Sequence, residues 1–214
     1  MFEVELKAHV ANRADVIKKL NSFARFDRII IKDDIYFKLE RPGKERVTAR
    51  IRTEEHRATE DFFNFTEQKI IEKKTFLNYK KKERRTESDG STIEVNDEYE
   101  TEISDADCVK ELLLASGFEN HFCKHKDSFG WYAECQGEFF SSAHLELCAV
   151  PPLGDFLEIE ILSPRQDEEA LREINSTLKS FVVKSGLELR DIEEKYYSEL
   201  LEQLKVTAGS RHQN

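Results

Sequence analysis

Charged and apolar residues alternate along five stretches of the chain, and alternation at period two marks a strand with two unlike faces. Phe2-Glu3-Val4-Glu5-Leu6-Lys7 is the clearest case. Val47-Thr48-Ala49-Arg50-Ile51-Arg52 repeats it with positive charge, and Cys123-Lys124-His125-Lys126 is a shorter version. Between Ile93 and Ile103, Glu98, Glu100 and Glu102 share one face and Tyr99, Thr101 and Ile103 the other; Phe156-Leu157-Glu158-Ile159-Glu160-Ile161 closes the set. Helical patterns fall between these strands. Asn12 is placed to cap a helix over 13–24 that aligns Val16, Leu20 and Phe23. Ser104 with Asp107 resembles a capping box for a helix carrying Val109, Leu112 and Leu113, stopped by Gly117. A third helix, over 166–185, sets Leu171, Ile174, Leu178 and Phe181 on one side and ends at Gly186; a fourth covers roughly 191–205. The segment 53–97 is long and charged, and its inner part, Phe62 to Thr75, suits strand or helix equally. No linker is evident, so residues 1–205 are expected to form one domain, with 206–214 a polar, disordered tail.

A sheet with one wet face would also alternate. What departs from that case is the sorting of sign by strand: acidic on 3–5, 98–102 and 158–160, basic on 50–52 and 124–126. Bulky apolar residues occupy the opposite face of these strands. If helices cover those apolar faces, the charged faces turn toward one another, and a sheet closed on itself becomes a polar tunnel. Charges of both signs in a confined space call for a ligand of matching charges. Polyphosphate with a divalent cation fits, because carboxylates bind a hard cation such as Mg²⁺ or Mn²⁺ while Lys and Arg hold phosphate oxygens.

Composition narrows the classes. The 214 residues carry 33 Lys and Arg against 43 Asp and Glu, a net charge of −10, with 39% hydrophobic residues and 15 Phe. That is too apolar for a disordered chain. The acidic balance argues against nucleic acid as a general partner but does not constrain a local cleft. No stretch approaches the ~18 apolar residues of a membrane helix, and Glu3, Glu5 and Lys7 are incompatible with the apolar part of a signal peptide. A cytoplasmic protein with no membrane contact is expected. Cys108, Cys123, Cys135 and Cys148 form no CxxC pair and read as free thiols in a reducing compartment. The six histidines lack ligand spacing, and the glycine-rich phosphate loops, HExxH and GxSxG are all missing.

The order of motifs resembles the CYTH superfamily, the triphosphate tunnel metalloenzymes, and most closely its class IV adenylate cyclases. Glu3-Val-Glu-Leu-Lys7 is an ExExK motif, and Leu153-Gly-Asp-Phe-Leu-Glu-Ile-Glu160 is similar to the family's late acidic strand. Asp34-Ile-Tyr36-Phe37, Ala49-Arg-Ile-Arg52, Phe76-Leu-Asn-Tyr-Lys80, the acidic run Glu98 to Asp105, Lys124-His-Lys126 and Tyr197-Ser-Glu-Leu-Leu201 follow in family order. The resemblance implies an α+β fold, a closed antiparallel β-barrel of about eight strands with helices packed outside, holding a metal-bound triphosphate. It implies Glu3, Glu5, Glu100, Glu158 and Glu160 as ligands of Mg²⁺ or Mn²⁺. It implies Lys7, Arg50, Arg52, Lys80, Lys124 and Lys126 as phosphate-gripping residues, with Lys7, Arg52 and Tyr36 nearest the chemistry. It also implies a homodimer.

Two departures bear on activity. Cys148 stands where the cyclases carry an Asp, with Glu146 two residues earlier on the same strand face, and Lys126 replaces an Arg, losing bidentate phosphate contact. The leading expectation is an adenylate cyclase converting ATP to cyclic AMP and pyrophosphate. An inorganic or thiamine triphosphatase is the first alternative, and a non-catalytic polyphosphate or nucleotide sensor the second. A module that binds RNA ends through Lys69–Lys82 is the third.

Overall fold

The computed structural model describes residues 2–43, 46–61, 65–86 and 92–210, of which 80–86, 92–98 and 205–210 are described in backbone only. Its elements follow in the order β1 (Phe2–Val10), α1 (Arg13–Phe23), β2 (Arg25–Leu39), β3 (Val47–Ala58), β4 (Lys69–Thr86), β5 (Thr92–Glu102), α2 (Ala106–Ala115), β6 (Glu119–Glu134), β7 (Ser142–Val150), β8 (Gly154–Ser163), α3 (Glu168–Lys184), a two-residue β9 (Ile192–Glu193) and α4 (Tyr197–Ser210). The fold is α+β, with one antiparallel sheet in the order β5-β4-β3-β2-β6-β7-β8-β1-β9. β1 also pairs with β5, through Glu3↔Asn96, Val4↔Val95 and Glu5↔Glu94.

Strand alternation divides this sheet into an apolar outer face and a charged inner one. On the outer face Val4, Leu6 and Ala8 of β1, Leu145 and Leu147 of β7, and Leu157, Ile159 and Ile161 of β8 are buried against Val16 and Leu20 of α1 and Leu171, Ile174, Leu178 and Phe181 of α3. Each Val, Leu, Ile or Phe among them contributes about 1.5–3 kcal/mol when fully buried. Both helices dock where the period-3.6 stripes place them. Asn12 accepts a hydrogen bond from the Asp15 amide at 3.3 Å, and Asp167 caps α3 through the Ala170 amide at 3.3 Å.

Three local expectations need correction. α2 is capped by Asp105, not Ser104: Asp105 has extended backbone, and its carboxylate accepts from the Cys108 amide at 2.9 Å. Gly117 does end the helix, with φ +91. The fourth helix begins at Tyr197 rather than near 191, because Ile192 and Glu193 pair with Ala8 and Lys7 as an edge of the sheet after a 3-10 turn at Leu189–Asp191. α4 carries its backbone to Ser210, reaching into the segment expected to be a tail; residues 211–214 lie outside the described ones. The ambiguous segment is strand from Lys69 onward, while Phe62–Asn64 fall outside the description. Among the described residues no helix is long and apolar enough to cross a membrane.

Candidate functional site

The charged inner faces converge on a cavity of about 510 Å³. Glu3, Glu5 and Lys7 of β1, Tyr36 of β2, Arg50 and Arg52 of β3, Lys124 and Lys126 of β6, and Glu158 and Glu160 of β8 all line it. Most alternate with an outward apolar neighbour, as Val4 and Leu6 do on β1 and Ile159 on β8, while His125 separates Lys124 from Lys126, so the period that makes the strand also aims the charge inward. Seven Lys and Arg against five Glu line the cavity, a positive balance within a chain of net charge −10. Two expected residues stand apart. Glu100 is exposed, is not among the lining residues, and accepts a hydrogen bond from Asn78, which is. Lys80 pairs with Glu98 in the β4–β5 ladder, where only backbone is described.

Asp34 is the hub of the first charge cluster. It is paired in the ladders with Arg52 on one side and Lys124 on the other. Its fully buried carboxylate accepts from Arg52 Nε at 2.7 Å and Nη2 at 3.0 Å. Lys124 Nζ lies at 3.1 Å and Arg50 at 3.9 Å. Burial alone would raise the Asp34 carboxyl, but Lys124, Arg52 and Arg50 hold it well below the usual range. Tyr36, one rung along β2, has its hydroxyl lowered from 10.0 to about 8, because Lys124, Arg50 and Arg52 outweigh burial and the Asp34 charge. Asp34 thereby fixes three cationic side chains in place, with Arg50 and Lys124 buried and Arg52 nearly so.

A second cluster spans the cavity. Lys32 donates to Glu146 Oε2 at 2.7 Å and Oε1 at 3.0 Å; Lys126 meets Glu158 at 2.5 Å and Glu146 at 3.4 Å. Burial pushes the Glu158 carboxyl up, but Lys126 overcomes this and sets it at about 2; Glu146 is likewise held well below the usual range. Cys148, fully buried, is pushed well above 9.0 by burial and the adjacent Glu158 charge.

These residues fit a divalent cation. Register places Glu5 opposite Glu160 and Lys7 opposite Glu158, so oxygen donors of β1 and β8 share one wall. Glu146, Cys148 and Glu158 bring one ligand atom each to within 4.8 Å of one another; the two carboxylates suit a hard cation, whereas the protonated Cys148 thiol does not.

Lys32, Asp34, Asn78, Phe122, Glu146 and Tyr197 join the cavity or its clusters without having been assigned roles from the sequence. Lys32-Asp34-Tyr36 was readable as an i, i+2, i+4 inward row. Tyr197 was not, because its place depends on where α4 begins. Its ring sits at 5.1 Å from Lys124 Nζ and 5.5 Å from Lys7 Nζ, edge-on to Phe156. Tyr197, Leu200 and Leu153 pack on Cys148, Val150 and Phe156, which seats α4 over this end of the cavity.

An antiparallel sheet that lines a cavity with more cationic side chains than carboxylates is chemically suited to an anionic ligand. The particular family follows from comparison: the CYTH domain model matches residues 1–197, so the chain belongs to the CYTH family, whose members act on triphosphates. Among solved structures, the PH1819 protein of Pyrococcus horikoshii OT3 is similar at 26% identity, covering 94% of this chain and 98% of that one with a TM-score of 0.67. A candidate adenylate cyclase from Vibrio parahaemolyticus shares the fold at 20% identity, 94% and 98% coverage and TM-score 0.60. The Hippeastrum protein HpAC1, a candidate adenylyl cyclase with a dominant triphosphatase activity, shares it at 13% identity, 87% and 88% coverage and TM-score 0.50. No curated protein matches the chain at comparable significance.

Proposed function

We propose that the β1–β5 ladder closes the sheet into a barrel, and that the chain binds a triphosphate with Mg²⁺ or Mn²⁺ in its charged interior and converts ATP to cyclic AMP and pyrophosphate. The observation that carries this reading is the convergence of Lys7, Arg50, Arg52, Lys124 and Lys126 with Glu3, Glu5, Glu158 and Glu160 on one cavity. The cations hold the phosphate oxygens in line and offset their charge. The glutamates, with Glu100 beyond Asn78 and Lys80 further along β4, complete the metal and phosphate sets. A divalent cation, when bound, withdraws charge from the phosphoryl oxygens. In cyclisation the ribose 3′-oxygen bonds to the α-phosphorus as the bond to pyrophosphate breaks. Tyr36, with a hydroxyl near 8 beside Arg50 and Lys124, is placed to take the proton of the attacking hydroxyl. Tyr79 and Tyr99, exposed and stacked at 6.0 Å on the outer face of β4–β5, support association into a homodimer.

One observation favours a second reading. Cys148 stands where class IV cyclases carry an Asp, and its thiol is held protonated. A triphosphatase, in which water attacks the terminal phosphorus, uses the same cationic row. Incubation with ATP, tripolyphosphate and thiamine triphosphate plus Mg²⁺ or Mn²⁺, followed by product separation, decides between them. Cyclic AMP with pyrophosphate is expected, and Glu5→Gln should abolish its metal-dependent formation. ADP and orthophosphate alone would establish the triphosphatase. No turnover of any of the three would overturn both.

A further inference from the structure

The cavity is chemically different at its two ends. Every neighbouring pair of strands is antiparallel, so β1 and β2, an even number of steps apart, run the same way. Lys7 and Lys124 both face the Tyr197 ring, and Lys124 lies 5.7 Å from the ring of Tyr36, so these groups share one level. Glu3 lies four residues further along β1, roughly 13 Å away, toward the end that also holds Glu160 and His144 by register. Among the lining residues that carboxylate end has no Phe or Tyr. The Tyr36 end is aromatic. Tyr36 pairs with Phe122 in the β2–β6 ladder, and their rings stack at 4.3 Å and 14°. His121 stands edge-on to Phe122 at 4.9 Å, and Tyr196 lines the same cavity. Phe122, His121 and Tyr196 are half-buried, so aromatic surface stays open at the mouth.

We infer that this aromatic mouth receives a planar aromatic ring attached to the triphosphate, with Phe122 and His121 as its specificity-determining residues. The phosphate chain then points inward from the mouth toward Glu3 and Glu160. This rests on the reading of the cavity as a triphosphate site. Its substrate class is a nucleoside triphosphate, or another triphosphate ester of an aromatic group, rather than inorganic tripolyphosphate. The cationic row serves any polyphosphate, since Arg50, Arg52 and Lys124 recognise phosphate oxygens whatever group the chain carries. Half-open rings immediately beyond that row supply π-surface that inorganic tripolyphosphate cannot use and a base can stack on.

The test compares binding of ATP and tripolyphosphate to the full chain by calorimetry in the presence of Mg²⁺. Wild type is expected to bind ATP more tightly. Phe122→Ala should weaken ATP about tenfold, the scale of one lost base–aromatic contact, and change tripolyphosphate by less than about twofold. Phe122→Leu keeps apolar volume and guards against a folding defect. With it, the quenching of 1,N6-etheno-ATP fluorescence expected from ring stacking in wild type should disappear while tripolyphosphate binding persists. Equal effects on both ligands, or unquenched etheno-ATP in wild type, overturn the mouth and leave the tunnel standing. Binding of neither ligand by wild type overturns both.

Discussion

At the scale of the residue, the site is built from inward rows whose members differ by two in number, and this is why much of it is readable without coordinates. Glu3, Glu5 and Lys7 need only an outward Val4 and Leu6 to be turned inward together. What cannot be read is which charge meets which. Asp34 gathers Arg50, Arg52 and Lys124 from two flanking strands, and no spacing in one strand reveals a partner in another. The consequence is measurable at Tyr36. Its hydroxyl is expected to titrate near 8, seen as a step in tyrosinate absorbance that Tyr36→Phe removes. A bound triphosphate should move that step upward, because phosphate oxygens offset the charge of Lys124 and the two arginines. A step that stays near 8 with ligand bound would place the anion elsewhere.

At the scale of the element, periodicity locates strands and helices well and their ends less well. The α3 stripe of Leu171, Ile174, Leu178 and Phe181 is buried as its spacing dictates. Ser104 and Asp105 are both good caps, and the sequence pattern alone does not separate them. The extended backbone at Asp105 and its bond to the Cys108 amide do. Asp105→Ala should therefore cost ~1 kcal/mol of stability, read from denaturant midpoints, whereas Ser104→Ala should leave the midpoint nearly unchanged. The late start of α4 has a similar origin. Ile192 and Glu193 find backbone partners on β1, and a long-range pairing of this kind overrides local helix preference. The cavity-facing position of Tyr197 was illegible for the same reason.

At the scale of the whole molecule, buried carboxylates set the response to acid. Glu158 is lowered from 4.5 to about 2, and Asp34 and Glu146 lie well below the usual carboxylate range. In the folded protein these groups stay ionised at a pH where the unfolded chain binds protons. The stability they contribute is fully present above about 4.5 and is lost as pH falls toward about 2. Denaturant midpoints across that window should drop steeply. Lys126→Met, which removes the principal partner of Glu158, should lower the midpoint at neutral pH and make the acid drop shallower, because Glu158 is then no longer held so far below its unfolded value. An acid profile unchanged by Lys126→Met would contradict the assigned pairing.

The ladder from Phe2↔Ser163 to Val10↔Asp155 joins segments that leave the ribosome far apart in time. Val4, Leu6 and Ala8 are made long before their lasting neighbours Leu157, Ile159 and Ile161, which arrive only after most of the sheet has been synthesised. Until then the first strand carries an apolar edge with little to hold it, and contacts of such long sequence separation form slowly. Nascent chains stopped at Pro152, which possess seven of the strands but not the eighth, should stay protease-sensitive and bind chaperones. Chains extended through Lys184 should acquire resistance in a single late step. A protease-resistant core in the shorter chains would show that the sheet can form without its first strand being anchored.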